Sequence, residues 1–367
     1  MFPPNRSVTS ERSQDADAAI RQTDSDAALA RLSAVKKGYL QDPFIQHLVP
    51  RARQTHAGPP LINIGTYVRS ESIDRLVEQW LDLSKHDRRL CQIVSLGAGS
   101  DTRFWKISTG SRKDSLASYI EIDFPDVTTK KAMAIRKSKA LGEVLGPPES
   151  IRVSHGGTTL DAPKYHLRPA DLRLPPTEVL SSCLNSDILN PTLPTLLLFE
   201  CVLVYMTPNA SAAVIQWFVD YFECAASTQG TSGASDRPGI LGGIVYEMFG
   251  LGDAFGQVMM NNLRARNVTL PGATPYHSLS TLPSRFLNHG FTSTAALTLR
   301  HIRRDYLPGS ELERISSLEM LDEVEELELV LEHYAITSGI KLFGSCDDAT
   351  KARWTAWGLV PVAHVHS

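Results

Sequence analysis

The chain has 367 residues, enough to bury a large core as one elaborate domain. Hydrophobic residues make up 42% and charged residues 21%; the formal net charge is −3 and the sequence pI near 6.4, which gives no global attraction to a phosphate backbone, so no nucleic-acid partner is expected. The five cysteines are scattered without a CxxC pair, which argues for reduced thiols in a cytoplasmic protein and against a disulfide framework or a zinc site; no apolar run approaches the ~20 residues of a membrane span, and no secretory signal opens the chain.

Residues 1–27 are polar and rich in Ser, Asp and Arg. They offer too little apolar surface to offset the entropy of ordering, and they read as a disordered tail. Residues 28–367 are expected to form a single domain, with a helical cap over 28–90 and an α/β core over 91–367. In the cap, ALARLSAVKKGYL, DPFIQHLV and GPPLINIGTYVRSESIDRLVEQWLDLSK predict helices. Ile73, Leu76, Val77, Trp80, Leu81 and Ser84 keep helical spacing in the last of these.

The pattern then changes to strands alternating with helices, which argues for a parallel sheet. CQIVSLG, SYIEIDFP, YHLRPADLR, TLLLFECVLVYM and PGILGGIVYEMF are the strand candidates. TLLLFECVLVYM is apolar almost throughout, as a central strand covered on both faces requires. VTTKKAMAIRKSKAL and NASAAVIQWFVDYFECA predict helices, the second opened by Thr207-Pro208. Residues 225–239 are rich in Gly, Ser and Thr and read as a flexible loop. SSLEMLDEVEELELVLEHYAI reads as one acidic helix, with Leu318, Leu321, Val324, Leu327 and Leu331 on its buried face.

The stretch VSLGAGSDTRFW, residues 94–105, places a glycine loop at the end of a strand, where open α/β sheets bind ligands. Gly97 and Gly99 permit a tight turn and close approach, but SDTRFW stands where a dinucleotide site has its third glycine. Asp123 ends the next strand, 26 residues after Gly97, placed to accept from two ribose hydroxyls. A glycine loop and a ribose acid without a phosphate grip suit S-adenosylmethionine; a turn followed by a capping acid would carry the same letters.

LGAGSDTRFW, EIDFP, ADLR and ECVLVYM, in this order, resemble the leucine carboxyl methyltransferase family, which methylates the C-terminal leucine of protein phosphatase 2A catalytic subunits. GYLQDPFIQHL, GDAFGQVMMNNL and SLEMLDEVEELELVLEHY extend the resemblance over residues 29–340. It implies the class I S-adenosylmethionine-dependent methyltransferase fold: a Rossmann-like, mostly parallel sheet with helices on both faces and added N-terminal helices. By motif, Gly97 faces the methionine part of S-adenosyl-L-methionine, Asp123 holds the ribose, and Asp171 and Leu172 hold and cover the adenine. Glu200 lies near the amino-acid group, and Arg31 and Arg69 grip its carboxylate. Without the resemblance Arg31 and Arg69 would pass for surface charges, Asp171 for a turn former and Tyr205 for core. Glu200, inside an apolar run, is costly unless paired.

The implied partner is the phosphatase catalytic subunit, met through its C-terminal tail. The protein is expected to be a cytoplasmic monomer that engages neither nucleic acid nor membrane. A C-terminal carboxyl, with a pKa of ~3.5, is an anion at neutral pH, so no general base is needed. Arg173 and Tyr205 are the candidates for orienting it. Relatives implied by the same blocks include the wybutosine-forming tRNA enzymes, which carry an added β-propeller, and bacterial small-molecule O-methyltransferases. A non-catalytic phosphatase-binding protein would retain the same cofactor residues.

Overall fold

The computed structural model describes residues 7–55, 57–229, 238–322 and 324–362. The five apolar segments become Cys91–Leu96 (β1), Leu116–Asp123 (β2), Tyr165–Pro169 (β5), Thr195–Glu200 (β6) and Gly239–Met248 (β7). They pair in parallel in the order β5-β2-β1-β6-β7. Antiparallel pairs extend both edges. Thr159–Ala162 (β4) and Arg152–Ser154 (β3) follow β5, and Tyr334–Phe343 (β9) and Ser293–Thr298 (β8) follow β7.

Every residue of β1 is buried, as a strand covered on both faces must be. Its side chains alternate between two apolar layers. Ile93 joins Leu196, Leu198 and Trp80 on one face; Val94 and Leu96 join Leu197, Phe199, Phe218 and Phe222 on the other. The helix Pro60–His86 opens on a proline, whose fixed φ suits a first turn, and buries all six residues of the expected stripe. Trp80 from this helix meets Trp354 and Trp357 edge-on, with centroids 4.8 and 5.1 Å apart, which ties the C-terminal helix to the cap. No helix among the described residues is long and apolar enough to cross a membrane.

Four expectations change. From Ser7 onward the expected tail is helical: one helix, Ser7–Lys36, runs through it, and residues 1–6 lie outside the described residues. Polar residues of this helix find partners on the core. Asp17 pairs with Arg173, Arg21 with Asp126, and Asp24 accepts from the Ser100 amide at 2.7 Å. Charged contacts thus replace the apolar surface the segment lacks. The acidic helix is shorter than its pattern: Gly309–Ser316 ends at its first residue, Val324–Glu332 is helical, and Tyr334 enters β9. Ten ladder pairs between β7 and β9 outweigh one more helical turn, and Val324 is exposed. TLLLFECVLVYM breaks after Glu200, because Cys201 turns to φ +57°. Of the expected flexible loop, residues 225–229 continue the helix Pro208–Gln229 and 230–237 lie outside the described residues.

A buried ion pair braces the region behind the carboxyl ends of β6 and β7. Arg285 and Glu247 are 2% and 0% exposed; Nε of Arg285 donates to Glu247 at 2.5 Å, and its Nη2 donates to the Gly272 carbonyl at 3.0 Å. The Tyr276 ring lies 3.8 Å from the guanidinium. Arg285→Leu strands the Glu247 charge and is expected to lower unfolding free energy by about 3–5 kcal/mol in denaturant titration, with Arg285→Leu/Glu247→Leu recovering most of it.

Candidate cofactor and methyl-transfer site

Strand register gathers the site. Leu96 of β1 stands opposite Ile122 of β2 and Phe199 of β6. The next residue on each strand is therefore Gly97, Asp123 and Glu200. Asp123 in turn stands opposite Pro169, and Glu200 opposite Tyr246. The chain leaves β1 for β2 on one side and returns to β6 on the other, so these ends flank a topological switch point, where open α/β sheets take their ligands. A cavity of about 610 Å³ opens there, within the usual range for ligand sites.

Gly97 and Gly99 have φ +65° and +47°. A side chain at Gly97 would strike Val202, and one at Gly99 would strike Asp24. The loop it permits points the Gly99 amide at Asp123, whose Oδ2 accepts at 2.7 Å; its Oδ1 accepts from the Phe124 amide at 2.7 Å. Each oxygen keeps a lone pair for a ribose hydroxyl. Burial pushes the Asp123 carboxyl up to about 6, offset in part by those two amides.

A cationic group stands beside Glu200. Arg69, from the Pro60–His86 helix, donates its Nε to Glu200 and lies 4.7 Å over the Tyr246 ring. Arg103, two residues past Asp101, donates Nη1 to Glu200 at 2.7 Å and Nε to Asp74 at 2.7 Å. Burial alone would raise the Glu200 acid, but Arg103 and Arg69 hold it down at about 2. Arg31, from the N-terminal helix, donates to Asp42 at 2.6 Å and Ser70 at 3.2 Å. The Nη2 atoms of Arg31 and of Arg103 are buried without a hydrogen-bond partner. Both residues line the cavity with Glu200. Arg103, Asp101 and Asp74 were not singled out in the sequence, although SDTRFW is charged where a third loop glycine was sought; only contact with Glu200 reveals their part.

At the opposite end, Leu172 is buried in the cavity wall. Asp171 is held by Arg173, which donates Nε at 2.9 Å and Nη2 at 2.7 Å; Nη1 and Nη2 of Arg173 also reach Asp17, and its guanidinium lies 5.1 Å from the Phe124 ring. Arg173 was expected to orient a substrate carboxylate. Its donors are instead engaged by two carboxylates beside Asp171, because the helical N-terminal segment brings Asp17 to it. Tyr205 lines the cavity in the turn after β6, and burial raises its phenol well above the ordinary value. Tyr246 stacks on Tyr334 at 5.4 Å and 11°. Met248, Met259 and Leu263 complete an apolar wall, and Arg266 pairs with Asp26 across it.

The residues fit S-adenosylmethionine. The donor set at one end, two guanidinium nitrogens without partners and an ionised glutamate, is what an amino-acid zwitterion needs. The acid at Asp123 suits a ribose.

The leucine carboxyl methyltransferase family model matches residues 19–219. Leucine carboxyl methyltransferase 1 of Cryptococcus neoformans is 43% identical over 375 residues, covering 94% of this chain and 98% of that one. The protein of the same name from Bos taurus is 35% identical over 91% of this chain and 93% of its own, and a homologue from Arabidopsis thaliana is 32% identical over 88% and 89%. With more than half of the chain matched by the family model and full-length relatives above 30% identity, the chain belongs to the leucine carboxyl methyltransferase family.

Proposed function

We propose that the protein methylates the C-terminal leucine carboxylate of the protein phosphatase 2A catalytic subunit, using S-adenosylmethionine and forming a methyl ester. The observation that carries this reading is one cavity lined by Glu200, paired with Arg103 and Arg69, by Arg31 and Arg103, each with an Nη2 that has no hydrogen-bond partner, and by Asp123. The free thiols of all five cysteines suit a cytoplasmic setting.

S-adenosylmethionine supplies a methyl group on a sulfonium. Arg31 and Arg103 hold its carboxylate, Glu200 its ammonium and Asp123 its ribose; Gly97 lets the chain pass close by. Asp171 and Leu172 take the adenine. Arg173 acts here through Asp171, which it fixes together with Asp17. Arg69 was expected on the cofactor carboxylate; its Nη nitrogens make no hydrogen bond among the described residues, and we assign them, with the Tyr205 hydroxyl, to the substrate carboxylate. The incoming carboxylate is already an anion, so these groups need only align it and exclude water. One cation and one hydroxyl leave the anion reactive, where a full bidentate clamp would blunt it.

The deciding experiment incubates the protein with methyl-labelled cofactor and phosphatase core enzyme. Label is expected on the phosphatase and is lost when its last leucine is deleted; label that survives the deletion, or none at all, overturns the reading. Asp123→Ala removes two charge-assisted hydrogen bonds of roughly 1.5–3 kcal/mol each, so calorimetry should show cofactor affinity reduced at least about tenfold. The sign of its pH dependence is set by the ionised form, which alone accepts from both hydroxyls. Affinity should therefore be full above the Asp123 value of about 6 and fall below it, and Asp123→Asn should flatten that profile. Arg173→Ala is expected to weaken cofactor binding by roughly fivefold or more through loss of the Asp171 and Asp17 contacts; an unchanged binding constant with abolished transfer would return Arg173 to the substrate carboxylate.

A further inference from the structure

Two sequence blocks, GDAFGQVMMNNL and the end of LELVLEHY, contribute no group to the chemistry above, and they meet in space. Asp253 caps the helix Ala254–Ala265: its Oδ1 accepts from the Gly256 amide at 2.7 Å. His333 follows the helix Val324–Glu332 and is 4% exposed, with its ring 5.0 Å from that of Phe255. Its Nδ1 lies 2.8 Å from the Leu329 carbonyl, and its Nε2 lies 3.1 Å from both carboxylate oxygens of Asp253.

A carbonyl only accepts, so Nδ1 carries a proton. Asp253 has none to give: the Gly256 amide, and then the His333 ring, hold its carboxyl below the ordinary range. Nε2 must then donate as well, and only the imidazolium donates from both nitrogens. The neighbouring charges are turned elsewhere. Glu332 faces Arg300 and Thr298, and Tyr334 stacks on Tyr246. The anchor sits at the start of this helix, whose Gly256 is its one fully buried residue and whose Met259 and Leu263 pack in the cavity wall beside Tyr205.

We propose that His333, protonated on both ring nitrogens, is a positioning residue that fixes the start of the Ala254–Ala265 helix and with it the apolar wall that receives the substrate tail. Loss of the Nε2 proton turns a lone pair toward the Asp253 carboxylate, and attraction becomes repulsion. The wall then loosens while the cofactor residues, on other elements, stay in place. The consequence for turnover rests on the function proposed above; the protonation state does not.

The test has two arms. Nitrogen-15 shifts of the His333 ring in the full chain should show both nitrogens protonated at about pH 6. A neutral ring at that pH overturns the proposal whatever the substrate proves to be. In the second arm, with cofactor saturating, kcat/KM for the phosphatase should fall roughly threefold to fivefold from about pH 6 to 8, the size of one partly exposed ion pair, with kcat unchanged. Asp253→Asn keeps the cap and can donate its amide to a neutral Nε2, so its profile should be flat. Profiles of wild type and Asp253→Asn that superimpose overturn the proposal. Absence of phosphatase methylation in wild type at every pH instead overturns the function, and the ring shifts still decide the protonation.

Discussion

A carboxylate buried at the end of a central strand must find cations or be lost as a charge. Glu200 meets that constraint with two guanidinium groups from different parts of the chain, Arg69 from the cap helix and Arg103 from the helix after the glycine loop. The site depends on this contact. It joins the cap to the sheet and holds the Glu200 acid well below its ordinary range. Arg103 is itself held by Asp74 and Asp101, and Lys131 donates to the Asp101 carbonyl at 2.7 Å, so the network continues beneath the loop toward buried Glu121. A buried pair is seldom a net gain in stability over apolar packing. Here it fixes geometry, since each partner has few other places to go.

Asp123 and Asp24, the guanidiniums of Arg31, Arg69 and Arg103, and an apolar set that includes Tyr205, Tyr246, Met248 and Met259 all line the cavity. Two helices form much of the enclosure, and both are held at polar contacts. The N-terminal helix is tied through Asp17, Asp24 and Asp26, and the helix Ala254–Ala265 through Asp253. Apolar packing adds to these contacts: Ala28 and Leu32 of the first helix are buried, and Met259 and Leu263 of the second pack against the cluster of Val204 and Met248.

The departure of Cys201 into the left-handed region is what converts a continuous apolar sequence into a strand and a turn. Its amide is held by the Tyr246 carbonyl at 2.8 Å, so the neighbouring strand sustains the strained conformation. Had the strand continued, Glu200 would sit inside the sheet and Tyr205 beyond it. The turn instead leaves both facing one cavity.

Much of the fold was determined locally. Apolar runs of strand length, the helical stripe from Ile73 to Ser84 and Pro60 at its first turn specify their elements by burial and backbone preference, which act within a few residues. Gly97, Asp123 and Glu200 could be read because each ends such a run, and parallel register brings run ends together. Edge strands β3, β4 and β8 were not legible, since short or half-exposed strands carry weak alternation, and β9 was hidden by the acidic pattern before it. The order of the N-terminal segment also escaped a reading from composition: its stabilising partners, Arg173, Ser100 and Arg266, lie 76 to 240 residues away. For the same reason the sequence offered Arg173 as a substrate ligand, while tertiary structure engages it with Asp171 and Asp17. Hydrophobic periodicity is a local property; the partner of a charge is decided only when the chain has folded around it.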